Sequence, residues 1–195
     1  MSACAPAPAD VLDFWFGDTD GLDPRWFNRS DAFDAEIAAR FGAATQAALA
    51  GSLDGWADTT GGALALILLL DQFTRNTHRG TPAAFAGDAR ALALAQRLVA
   101  TGEHLQLPPL RRWFAYMPLE HAEDLALQGQ CVQLFEALVV HAGPHQDALV
   151  GALDYARRHH DVIARFGRFP HRNAILGRVS SAEEAAFLQQ PGSSF

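Results

Sequence analysis

The chain has 195 residues, 49% of them hydrophobic and 19% charged, a balance that excludes intrinsic disorder and supports one sizeable core. Its formal net charge of −7 argues against non-specific binding to nucleic acid or anionic membranes, and its 15 basic residues are all arginine, which removes lysine Schiff-base chemistry and the P-loop lysine. The longest apolar run, 63–70, is too short to cross a bilayer, and Met1–Asp10 carries no basic, apolar leader.

Two cysteines without motif spacing suit a reducing compartment, so a cytoplasmic chain is expected, with 1–195 as a single helical domain and 1–9 as a mobile tail. Asp10 is placed to cap a short helix, Val11–Phe16, closed by Gly17. Ser30 opens a helix whose Phe33, Ile37, Phe41, Ala44 and Ala48 form one stripe, stopped near Gly51. After Gly61-Gly62, residues 63–76 are apolar on all sides until Asp71, as expected of a helix in the middle of the domain. Thr81-Pro82 caps the next helical stretch, which runs to Gly102, and Pro108-Pro109 starts a short segment with Arg111, Arg112, Trp113, Phe114 and Met117.

Pro118 is read as reopening the chain into a helix through about His141, so that Glu120, His121 and Asp124 fall in its first turns. His145–Phe166 forms the last long helix, with Leu149, Ala152, Ala156, His159 and Ile163 on one side. Pro170 forces Phe169 out of the helical region, and Ser181 with Glu184 makes a capping box for a final helix. No stretch alternates with period two, so the expected fold is all-α: about eight helices in antiparallel pairs, with no sheet.

Three stretches carry a resemblance: Asp71-Gln72-Phe73-Thr74-Arg75-Asn76, Pro118-Leu119-Glu120-His121-Ala122-Glu123-Asp124, and His159 to Arg178 followed by Ser180-Ser181-Ala182-Glu183-Glu184. With these the chain resembles a bacterial family known only as domain of unknown function 924, from Val11 to Leu188. The resemblance implies a TPR-like all-helical architecture and carries over no activity, cofactor or catalytic residue. Two departures stand out, Thr74 where the family pattern has proline and Ala122 where it has serine.

Chemistry-bearing residues gather in the same stretches. His121, Glu120 and Asp124 lie within one turn, a clustering that suits acid–base work and equally a dipole- and arginine-paired helix start. His121 or His171 is the candidate proton carrier, with Glu120 or Asp124 orienting it. Between Arg157 and Arg178 there are six arginines and one acid, Asp161. Guanidinium forks hold carboxylate or phosphate bidentately, so Arg165, Arg168, Arg172 and Arg178, with Asn173 and His159, are candidate contacts to a small anionic metabolite or peptide carboxylate. Asp71, Arg75 and Asn76 at the end of the central helix complete the expected pocket. The alternative keeps the same arginines as internal pins on Asp71, Glu120 and Asp124.

His159-His160-Asp161 has too few companion ligands for a metal centre, no cofactor motif is found, and Cys131 sits mid-helix among apolar neighbours, where a thiol stays protonated. A competing reading makes the whole chain a protein-interaction module with structural polar motifs. It asks for exposed Trp26, Trp113 or Phe114 in a groove between helix pairs.

Overall fold

In the computed structural model, which describes residues 6–17 and 21–193, every regular element among the described residues is helical. Pro8–Phe16 forms α1, Asp31–Leu49 α2, Thr60–Ile67 α3 and Thr74–Thr77 α4. Asp88–Thr101 is α5, Pro109–Glu120 α6, Leu125–Val140 α7, Gln146–Phe166 α8 and Ala182–Phe187 α9. From α5 to α8 each helix packs on the one before, across connections short enough to fold the chain back on itself.

Local signals explain most boundaries. The α2 stripe of Phe33, Ile37, Phe41, Ala44 and Ala48 is buried throughout, and the Ser30 hydroxyl accepts from the Phe33 backbone N–H at 3.2 Å. Gly167 adopts φ 68° to close α8, a conformation a residue with Cβ takes at a cost. Ser181 and Glu184 form the expected capping box of α9. The first helix starts earlier than its sequence suggests. Asp10 lies inside the first turn of α1, where its carboxylate accepts from the Ala7 backbone N–H at 2.7 Å instead of capping. Of the expected tail, residues 1–5, with Cys4, lie outside the described residues, while Pro8 and Ala9 are helical.

The centre is one continuous helix in which α3 passes through a π-helical stretch, Leu68–Phe73, into α4. Residues 62–74 are all buried, ringed by α1, α2, α5 and α6. The π stretch has no sequence signal, because a run apolar on all sides has no periodic face whose slip would mark a widened turn. Thr74 secures its end by donating its hydroxyl to the carbonyls of Leu70, at 2.8 Å, and Asp71, at 3.2 Å. Gly87 crosses so near this helix that a methyl group there would sit 2.1 Å from the Leu70 carbonyl oxygen.

Pro118 does not open a helix. It lies in the last turn of α6, which ends at Glu120, and Asp124 starts α7 by accepting from the Leu127 backbone N–H at 3.0 Å. The reading of Pro118 as a first-turn proline followed a true preference, but buried Phe114, Ala115 and Tyr116 hold the preceding turns helical through it. Glu120 and His121 therefore stand at the C-terminal end of one helix, not in the first turn of the next.

Candidate functional site

Asp71 sits in the π stretch, fully buried. Its carboxylate meets Nδ1 of His121 at 2.7 Å and the Arg75 guanidinium at 3.0 Å, and it accepts from the Gln72 side-chain amide at 2.6 Å. Burial by itself raises its pKa; the Arg75 charge and the His121 contact outweigh that and hold it well below the usual carboxylate range. An ionised Asp71 can only accept, so Nδ1 of His121 carries a proton and Nε2 is the bare nitrogen of the neutral ring. Burial and then the Arg75 charge push the His121 pKa down, which keeps that ring neutral.

Glu120, 4% exposed, places one oxygen 3.2 Å from Nδ1 of His159 and leaves Oε2 buried without a hydrogen-bond partner. The same Nδ1 lies 2.9 Å from the Tyr155 carbonyl oxygen, which can only accept, so the His159 proton is on Nδ1. Burial, reinforced by Asp71, pushes Glu120 up to about 8, and burial brings His159 down to about 3. At neutral pH the two are uncharged groups in contact rather than an ion pair. The position of Glu120 at the negative end of the α6 dipole works in the same direction.

A chain of alternating charge runs beside them. Arg75 donates to both oxygens of Asp88, at 2.9 and 3.2 Å, and the Arg172 guanidinium stands 3.5 Å from Asp88. Arg172 is held between the rings of Phe85 and Phe169, 4.9 and 4.5 Å from their centres. Burial and the Arg75 charge lower its pKa to about 10, which leaves it a cation at neutral pH. His171 flanks Phe169 with 5.6 Å between ring centres, and burial followed by the Arg172 charge takes its pKa down to about 4.

The structure thus brings Asp71, Arg75, Glu120, His121, His159, His171 and Arg172 into one region, and leaves the other candidates elsewhere. Arg168 chelates Glu184 at 2.6 and 2.8 Å and, with the Ser181 backbone, holds it down to about 2. Arg165 donates to Glu183 at 2.9 Å. The Asn173 amide donates to the Ser180 hydroxyl at 3.1 Å and that of Asn76 to Asp34 at 2.7 Å, while Asp124 is spent on its helix cap. Arg178 likewise clamps Glu123 at 2.6 and 2.9 Å, and Glu123 also accepts from the Phe169 backbone N–H at 2.8 Å. These contacts tie the C-terminal passage to the ends of α7 and α8. Asp88, Phe85 and Gln128 carried no sequence signal. The Gln128 amide donates to the Glu120 carbonyl at 2.5 Å and the Ala122 carbonyl at 2.8 Å, closing the end of α6.

Glu120, His121 and His159 form the polar part of a cavity of about 480 Å³ between α6 and α8. Its other walls are apolar: Trp113 and Met117 from α6, the small residues Ala148, Gly151 and Ala152 from α8, and Phe27 and Tyr155 at its sides. The size falls within the roughly 300–1,000 Å³ common for small-molecule sites. No arginine lines it. A more open hollow of about 560 Å³ lies against α1, lined by Asp13, Phe14, Arg25 and Arg40 among others, and holds none of the candidate residues. Among the described residues no helix is long and apolar enough to cross a membrane.

The sequence profile of DUF924, a bacterial protein family of unknown function, matches residues 11–192. A solved structure of a protein of unknown function from Agrobacterium tumefaciens is similar at TM-score 0.81 and 38% identity, over 93% of this chain and 96% of that one. No curated protein matches the chain.

Proposed function

This chain belongs to the bacterial DUF924 family, whose function is unknown, and from that premise we propose that the α6–α8 cavity binds a small organic acid and offers it an acid–base pair. The observation that carries this reading is the buried Oε2 of Glu120, which has no hydrogen-bond partner, in a residue that lines a mostly apolar cavity. An orphaned buried polar atom costs about 1–3 kcal/mol unless something completes it. Protonated at neutral pH, Glu120 can donate one hydrogen bond to a carboxylate from this oxygen. His121, aligned by Asp71 as a carboxylate aligns a catalytic histidine, supplies Nε2 as a base or, once protonated, as a second donor. Acid and base reside on adjacent residues, and Asp71, His159 and Cys131 are the other titratable groups that act on Glu120 or lie beside it.

In this reading the arginines are scaffold rather than contacts. Arg165, Arg168, Arg172 and Arg178 each meet a carboxylate of the chain, Glu183, Glu184, Asp88 and Glu123 in place of the expected Asp71, Glu120 and Asp124, which favours an internal-pin role over direct anion capture. The interaction-module reading asks for exposed Trp26, Trp113 or Phe114, and all three are buried. Calorimetric titration of the protein with small aliphatic and aromatic carboxylates, beside their neutral amides, tests the proposal. Carboxylates are expected to bind more tightly than amides and to weaken above about pH 8, where Glu120 ionises. Equal affinity for acid and amide at every pH would remove Glu120 and His121 from recognition.

A further inference from the structure

We infer that the organic acid taken by this cavity is aromatic: a flat ring enters between Trp113 and Met117 on one side and the small-residue face of α8 on the other, with its carboxyl group on Glu120 and His121. The inference rests on the organic-acid reading and deepens it. Three features of the walls point to a ring.

First, α8 is flattened where it faces the cavity. Ala148, Gly151 and Ala152 share that face, and a Cβ placed on Gly151 would meet nothing within 4 Å, so the space there is open. Second, the opposite wall is aromatic and polarisable. Trp113 is 8% exposed and stacks on Phe27 with ring centres 4.8 Å apart and planes 20° from parallel, next to the Met117 thioether. Such surfaces gain stacking and sulfur–ring contact from an aromatic ligand that a methylene chain does not supply. Third, Phe27 and Tyr155, which are 54% and 52% exposed, leave two more rings at the sides of the cavity. Exposed aromatic side chains beside a polar floor are what an amphipathic aromatic acid covers on binding, whereas a phosphate or other compact anion leaves them wet.

The test compares phenylacetate with octanoate, which has the same number of carbon and oxygen atoms, and adds 2-naphthoate, phenylacetamide and inorganic phosphate. Each is titrated by calorimetry into wild type, Gly151→Leu and Glu120→Gln. Stacking on two or more rings predicts that phenylacetate binds about tenfold more tightly than octanoate, and 2-naphthoate more tightly still. Gly151→Leu fills the slot and is expected to weaken both aromatic acids by at least about tenfold with an equal or higher melting temperature, since leucine is the better helix former. Glu120→Gln keeps an N–H donor in place of the carboxyl proton, so it is expected to retain the acids at neutral pH and to abolish the weakening above about pH 8.

Octanoate binding as tightly as phenylacetate would overturn the aromatic inference and leave the organic-acid reading standing. Phenylacetamide binding as tightly as phenylacetate in wild type, with octanoate weak, would overturn the organic-acid reading and with it the aromatic acid, leaving only a preference of the walls for a ring. Binding of none of the acids, or binding that survives Gly151→Leu, would remove both, and tight binding of phosphate alone would return the site to the arginines.

Discussion

Replacing Glu120 with glutamine isolates a single buried proton. A glutamate in the unfolded chain ionises near 4.5, whereas burial in the fold pushes Glu120 up to about 8. The folded state keeps the proton across the window in which the unfolded state releases it, so this group lowers stability as pH rises through that window. The slope is about 1.4 kcal/mol per pH unit, and across the whole window the loss is on the order of 5 kcal/mol. Glutamine has nothing to release. Glu120→Gln is therefore expected to match wild type near pH 5 and to exceed its stability by several kcal/mol at pH 8. Urea unfolding of both proteins at pH 5, 6, 7 and 8 reads the difference, which cancels the other titrating groups. A difference that stays flat, or one in which wild type gains on the variant as pH rises, would mean that Glu120 is ionised in the fold and paired with a charged His159, and the donor assigned to the cavity would be lost.

The buried histidines give the opposite limb. His159 and His171 are lowered to about 3 and about 4 from 6.5, so their contribution is intact above pH 6.5 and is lost as pH falls toward those values. His171→Asn is expected to flatten the acid side of the stability curve, measured as the urea midpoint between pH 4 and 6.5. Asp71→Asn breaks a buried pair and leaves the Arg75 charge to Asp88 alone, at a cost of about 3 kcal/mol by chemical denaturation, the low end for a buried pair broken on one side. The same change should shift the His121 proton between its ring nitrogens, visible in the nitrogen chemical shifts of the ring. Arg168→Ala releases Glu184 and the Val179 carbonyl, so amide exchange in residues 179–188 should accelerate while affinity for carboxylates holds. A loss of carboxylate affinity of about tenfold or more in this variant would return Arg168 to the binding site.

The site was half legible for identifiable reasons. The spacing of Asp71 and Arg75 put them on one helical face, and they pair there. His159 fell on the buried stripe of α8 and is 4% exposed. Asp124 was misplaced because the helix boundary was: with Pro118 inside α6, Asp124 becomes a cap and Glu120 moves to the opposite end of a dipole. Arg165 and Arg168 looked like anion contacts because sequence shows a run of guanidinium groups without their partners. Those partners, Glu183 and Glu184, lie on α9, 18 and 16 residues further along.

By itself, the sequence determined that this chain is helical and where most helices start and stop, because hydrophobic period, caps and glycines act over a few residues and are written locally. It also named most of the polar groups that meet inside. Only the tertiary structure decided which of them are paired and which are left over. Whether a guanidinium is a ligand contact or a strut depends on which carboxylate reaches it first. Whether Glu120 is a charge or a proton donor depends on how completely α6, α7 and α8 shut out water. The cavity beside it exists because alanine and glycine on α8 face tryptophan and methionine on α6, an opposition of small and large side chains that arises only when the two helices pack.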